Sequence, residues 1–266
     1  NFDKEEQWLG MKISFIKNAS GAGIITAILR DISKERAIDD RNKEFIYTTT
    51  HELRTPITAI KGYLSMILNG DAGEIKPNQK KYFNRAYQST ENLVSLVEDI
   101  LKTAQLEENK MIFKKDSFSF NKLIYDVAAD YSQKAKNKNV ELKTSGKSYN
   151  IKVIGDYDKT KQALSNLVDN AIKYTIKGNV TIKSQISENM GTISIEDTGV
   201  GIPRKNQEMI FTKFYRVPNA ESVRAGGTGL GLFIVKNLIE KQNGKVNINS
   251  RLGKGTSISI SLPLAK

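Results

Sequence analysis

Between residues 33 and 107 the chain is patterned for two long helices, and this limits the possible fold more than any other feature. In SKERAIDDRNKEFIYTTTHELRTPITAIKGYLSMILNG, apolar residues at Ile46, Leu53, Ile57, Ile60, Leu64 and Ile67 recur at intervals of three, four or seven. That spacing lays them along one face of an α-helix. Ser33 suits the start as a cap and Gly70 suits the stop. After DAGEIKPNQ, a second helix is predicted from about 78 to 107. There Ala86, Leu93, Val97, Ile100 and Ala104 form the apolar seam, and Thr90 fills its gap. A short loop between two long helices makes an antiparallel hairpin. One hairpin covers such a seam only partly. Two hairpins in a four-helix bundle cover it fully, so a homodimer is expected.

The flanks read differently. WLGMKISFIKN and GIITAILRDIS are rich in β-branched and aromatic residues and are separated by ASGAG, which predicts a β-hairpin over residues 8–32. Two strands alone are not stable, so this hairpin reads as the end of a small or truncated sheet domain. Residues 111–266 mix strand candidates (VELKTS, IKVIGD, NVTIKSQIS, GTISIED, GKVNINS, TSISISLPL) with helices expected over 120–136, 158–174 and 229–243. Strands outnumber helices, giving an α+β sandwich with helices on one sheet face.

Composition removes several function classes. There is no cysteine, hence no disulfide, thiolate nucleophile or Cys-based zinc site, which suits a reducing compartment. The formal charge of +12 comes from dispersed lysines with no basic run interleaved with aromatics. A polyanionic small ligand or an acidic partner fits this charge, and nucleic acid is not expected as a partner. No stretch approaches the roughly 20 apolar residues that cross a bilayer, and no signal peptide opens the chain. The first residue is Asn1 rather than Met. The expectation is a cytoplasmic fragment without membrane contact of its own, any membrane anchor lying outside it.

HELRTP contains His51, the one histidine of 266 residues. With Ile46, Thr49 and Leu53 as the local seam, His51 points roughly 160–170° away from it on an ideal helix. The ring is therefore expected to face solvent, which sets aside a buried structural histidine and leaves either an incidental surface residue or a reactive imidazole. Thr55 shares the outer face, Glu52 is adjacent, and Pro56 removes one intrahelical hydrogen bond just below.

Four stretches of the C-terminal half carry candidate ligand chemistry. In NLVDNAIKYT, Asn166 and Asn170 share a helix face with Lys173 close by. These side chains suit either a Mg²⁺ and phosphate site or a polar helix surface. In EDTGVGIP, Asp197 ends a strand, where it suits either acceptance from an exocyclic amine or a simple turn; Gly199 and Gly201 permit close backbone approach. GGTGLGLFIVKNLIEK is a glycine loop opening a helix, an anion site by its exposed N–H groups, though it is neither of the familiar phosphate-loop motifs. IFTKFYRVPNAESVRAGG reads as a lid anchored by Phe211 and Phe214, with Arg216 and Arg224 able to reach phosphates, or as a surface loop.

In this order and spacing, HELRTP, NLVDNAIKYT, EDTGVGIP, IFTKFYR and GGTGLGL resemble the H, N, G1, F and G2 boxes of the sensor histidine kinases of two-component systems, over residues 33–266. ILRDIS also resembles the end of a PAS sensor domain. The resemblance implies a PAS-like remnant at 1–32, a signalling coiled-coil helix at 33–48, a dimerisation and histidine-phosphotransfer domain at 49–110, and an ATP-binding sandwich of the GHKL (Bergerat) type at 111–266. It implies ATP and Mg²⁺ as cofactors, a response-regulator receiver domain as partner, phosphorylation of His51, transfer to an aspartate of the regulator, and dephosphorylation of that regulator. By motif, His51 would be the phosphoacceptor, Glu52 the general base, Thr55 the residue orienting water for dephosphorylation, and Arg216 the stabiliser of the transferring group. Asn170 would ligate Mg²⁺, supported by Asn166 and Lys173. Tyr174, Asp197, Gly199 and Gly201 would surround adenine, with Phe214 anchoring the lid. Gly227, Thr228, Gly229, Leu230 and Gly231 would form the phosphate loop. The alternatives are a GHKL-type ATPase or a nucleotide-binding scaffold without phosphotransfer. Related ATPases place a glutamate where this chain has Asn166, which favours transfer over hydrolysis.

Overall fold

A computed structural model describes residues 8–17, 23–108, 111–146, 151–218 and 226–265, in two compact units, Asn1–Pro56 and Ile57–Lys266. In the first unit, β1 (Leu9–Lys17) and β2 (Gly23–Asp31) pair antiparallel with Leu9 opposite Asp31 and Lys17 opposite Gly23. The hairpin is therefore as its alternation predicts, and its turn ASGAG lies largely outside the described residues. Met11, Ile13, Phe15, Ile25 and Leu29 are each more than 60% exposed, so no second layer covers this ribbon within the unit. Helix α1 (Ser33–Asn69) follows directly. Ser33 does not cap it as expected. Its hydroxyl accepts from Trp8 N at 2.9 Å, while Asp31 accepts from Ser33 N and supplies the capping carboxylate. The Arg36 guanidinium lies 5.0 Å from the Trp8 ring, fixing the strand-to-helix joint.

The second unit begins with the remainder of α1. Helix α2 (Pro77–Glu107) starts with proline in its first turn, where the missing N–H costs nothing. Lys61 bridges α1 to α2 through Glu91 at 3.0 Å and lies over the Tyr87 ring. Thr90, Val97 and Ala104 are buried along α2. Ile60 and Leu93, predicted seam residues, remain about half exposed in the single chain.

Beyond the hairpin lies a five-stranded sheet in the order β4-β6-β7-β9-β8, comprising β4 (Val140–Gly146), β6 (Gly178–Ser187), β7 (Met190–Asp197), β8 (Lys245–Arg251) and β9 (Gly255–Pro263). Only β4 and β6 run parallel. Strand alternation decides the layering. Val180, Ile182, Ile193, Ile195, Ile258 and Ile260 point inward and are buried with apolar residues of α3 (Phe120–Asn137), α4 (Tyr157–Tyr174) and α5 (Gly231–Glu240). Lys183 and Glu196 pair on the outward face. This is the predicted helical hairpin followed by a GHKL-type sandwich.

Two elements differ from the sequence reading. Strand β3 (Asp116–Ser119) was not predicted, since DSFS has no β-branched residue; it exists by pairing with β5 (Lys152–Gly155). The Phe118 ring packs edge-on against Tyr157 at 5.6 Å. Helix α5 is shorter than 229–243 at both ends. Gly229 has φ +73 before it, and Asn243 has φ +58 after it, so neither residue is helical.

Candidate functional site

Helix α4 forms one wall of a cavity of about 740 Å³. Its buried stripe of Leu164, Leu167, Val168, Ala171 and Ile172 is fixed against the core. Asn166, Asn170 and Lys173, at intervals of four and three, therefore share the other face, and all three line the cavity. The C-terminal end of α4 is held by Lys138, whose Nζ donates to Ile172 O at 2.8 Å and also to Lys173 O. Lys173 Nζ in turn donates to Gly226 O at 2.7 Å. Burial lowers the pKa of the Lys173 ammonium, and the positive charge of Arg216 pushes the same way. Both cations therefore converge on one end of the cavity, which Arg216 also lines.

The other end is built from β7 and β9. Asp197 Oδ1 accepts from Gly199 N at 2.8 Å and Thr256 N at 3.2 Å. Its Oδ2 has no protein partner among the described residues. Burial raises the carboxyl's pKa, and those two backbone bonds oppose the rise. Ile195, Ile202, Ile210 and Ile258 supply apolar surface around it, and Tyr174 lines the cavity too. Gly199 sits behind the carboxylate rather than in the lining. A Cβ there would meet Tyr174 O at 2.5 Å and Asp197 Oδ1 at 2.8 Å. Gly201 has φ +68, and a Cβ would meet Arg251 O at 2.1 Å, so the turn after β7 admits only glycine there.

Gly227, Thr228, Gly229 and Gly231 line the cation-rich end. Two predicted contacts differ. Leu230 is fully buried in the core, because it opens α5 with its side chain inward, so only its backbone faces the loop. The Phe214 ring is 63% exposed and absent from the lining; the residue has φ +60, and its backbone abuts Gly229. Arg224 lies outside the described residues.

Two contributors escaped the sequence reading. Thr256 pins Asp197 from the neighbouring strand; its signal was the GKGT opening of β9, where Gly255 has φ +92 and lies against Asp197 O. The second is a whole wall from α2. Ser89, Asn92, Leu96 and Asp99, spaced three or four apart, line the cavity together with Leu93, and the Thr228 hydroxyl donates to Asp99 Oδ2 at 3.1 Å. Glu107 adds an ion pair to Lys213. His51, Glu52 and Thr55 lie on α1 in the first unit, and all three are exposed, as helical geometry predicts for the histidine.

The donor set fits a purine nucleotide. There is a desolvated carboxylate with one open oxygen among isoleucines, two cations at the far end, and glycine N–H groups between them.

A family model described as His Kinase A (phospho-acceptor) domain matches residues 41–109, and one described as histidine kinase-, DNA gyrase B- and HSP90-like ATPase matches residues 155–266. The chain belongs to the sensor histidine kinases. Sensor histidine kinase WalK of Bacillus subtilis (strain 168) is 32% identical over 98% of this chain and 43% of its own length. Sensor protein kinase WalK of Staphylococcus aureus is 31% identical over 97% of this chain and 63% of its length. The chain thus spans less than two thirds of these curated relatives. Among solved structures, full-length ShkA in complex with AMPPNP matches 84% of this chain and 46% of its own at 27% identity and TM-score 0.70. The nucleotide-free catalytic domain of histidine kinase ThkA matches 56% of this chain and 95% of its own at 29% identity and TM-score 0.50. Among the described residues, no helix of this histidine kinase chain is long and apolar enough to cross a membrane.

Proposed function

We propose that this chain is the autokinase portion of a two-component sensor, taking the γ-phosphoryl group of ATP onto His51 and passing it to an aspartate of a response regulator. The observation that carries the reading is the single cavity into which four separate sequence stretches deliver Asn170, Asp197, Arg216 and Gly227. Asp197 would accept from the adenine amine through its open oxygen. Asn166, Asn170 and Lys173 would meet the phosphates, and Asn170 would give a neutral amide oxygen to Mg²⁺, whose remaining ligands come from phosphate and water. The cation neutralises charge on the transferring group when bound. Arg216 adds positive charge at the same end. Exposure of His51 gives its ring access to a phosphoryl donor. Glu52 takes the imidazole proton as the other nitrogen forms the N–P bond and the P–O bond to ADP breaks. The half-exposed seam of Leu53, Ile60 and Leu93 supports dimerisation through a four-helix bundle.

Thr55, one turn beyond His51, would orient water for dephosphorylating the regulator. Thr55→Ala is expected to lose that activity while keeping His51 labelling. Incubation with γ-labelled ATP and Mg²⁺ should label the wild type but not His51→Gln. The label should be acid-labile and alkali-stable. Equal labelling of both proteins would refute the assignment.

A further inference from the structure

The α2 wall places a carboxylate where the nucleotide reading needs positive charge. Asp99 is half-buried, and no ion pair holds it among the described residues; Lys102, whose charge acts on it, is paired with Glu98 at 3.4 Å. Burial raises its pKa; the Thr228 hydrogen bond and the charge of Lys102 oppose the rise, and Glu98 adds to it. Its partner is instead the Thr228 hydroxyl, which also accepts from Leu230 N at 3.1 Å. A hydroxyl carries one proton. Thr228 therefore donates either to Asp99 or to a phosphate oxygen in the cavity it lines, but not fully to both. The backbone on both sides of Thr228 is glycine in the left-handed region. Gly226, Gly227 and Gly229 flank Thr228 at φ +62, +118 and +73, and a Cβ on Gly226 would meet nothing within 4 Å.

We propose that Asp99 is a charge gate on the phosphate end of the cavity. Without polyphosphate it holds Thr228 against α2; a bound polyphosphate takes over the hydrogen bond donated by the Thr228 hydroxyl and repels the carboxylate, so that nucleotide occupancy and docking of α2 oppose each other. This rests on the nucleotide reading above. The opposition is reciprocal: whatever loosens α2 from Thr228 tightens polyphosphate binding by the same factor.

The test is a set of dissociation constants, with Mg²⁺, for adenosine, ADP and a non-hydrolysable ATP analogue on the whole chain. Asp99→Asn keeps an oxygen for Thr228 and removes the charge. It should bind the ATP analogue at least tenfold more tightly, a factor that one unit-charge repulsion at an effective dielectric of about 20 still reaches at about 12 Å. ADP should gain less and adenosine nothing. In the wild type, the analogue but not adenosine should speed amide exchange in α2 around Asp99, and Asp99→Asn should shrink that difference. Unchanged or weaker analogue binding by Asp99→Asn, with adenosine binding intact, would overturn the gate and leave the nucleotide reading standing. A wild type that binds none of the three would overturn both.

Discussion

Replacing Asp197 by asparagine separates recognition of the base from every other function of the cavity. Oδ1 is committed to Gly199 N and Thr256 N. Asparagine keeps both bonds only by placing its carbonyl oxygen there, which turns its NH₂ into the cavity, where the open carboxylate oxygen had been. An acceptor for an amine thereby becomes a donor facing an amine. The loss is one charge-assisted hydrogen bond of about 1.5–3 kcal/mol, or roughly 10- to 150-fold in ADP affinity. Inosine diphosphate, with a carbonyl oxygen in place of the amine, should move the opposite way and bind the variant at least as well as the wild type. Burial disfavours the ionised carboxylate, so its raised pKa detracts from stability as pH rises past the ordinary carboxylate range. At neutral pH the ligand-free variant should therefore melt no lower than the wild type. Calorimetric titration with both nucleotides, alongside a melt of the ligand-free proteins, checks all three outcomes. Unchanged ADP affinity, or parallel loss of ADP and IDP with the melting temperature intact, would refute the assignment of the base to Asp197.

The raised pKa also predicts a pH profile. As pH falls from neutral, Asp197 takes up a proton before an ordinary carboxylate would, so ADP affinity should weaken on acidification, and Asp197→Asn should lose that component in titrations across the range. Gly201→Ala forces a Cβ into the left-handed region against Arg251 O. With about 1–2 kcal/mol for the backbone alone and the clash in addition, a melt should show Tm lower by roughly 5–10 °C, with ADP binding lost. Lys138→Met removes the cation that closes α4 beneath Lys173; about 1 kcal/mol of stability and a few degrees of Tm should go with it in the same melt.

The parts of this site legible in the sequence were those whose pattern is local. Asn166, Asn170 and Lys173 share a face because helical spacing alone puts them there, and the buried stripe of α4 turns that face outward. The exposure of His51 followed from the same geometry. Loop residues were harder. Nothing local distinguishes Leu230, which is swallowed by the core, from the glycines on either side that line the cavity. Phe214 looks like an anchor in sequence, but its positive φ leaves the ring outside and uses its backbone against Gly229. Least legible were Thr256 and Asp99. Each reaches the site across a tertiary interface, one from a neighbouring strand and one from a helix in the preceding hairpin, and the helical spacing of the α2 wall reads in sequence like any polar helix face.

That last residue shows what the hairpin adds to the nucleotide domain. Thr90, Val97 and Ala104 are buried on one side of α2, while Asn92, Leu96 and Asp99 line the cavity. At about 100° per residue the two sets centre roughly 130° apart around the axis, with the seam residue Leu93, which also lines the cavity, between them, so they are adjoining faces of one rod. A helix cannot slide or turn to repack its seam without carrying the second face with it. Displacement of the seam at Val97 therefore moves Asp99 relative to Thr228. By the same linkage, polyphosphate that drives Asp99 away works against the seam packing of the hairpin. Coupling of this kind needs no contact between the seam and the nucleotide, only that one helix serves both.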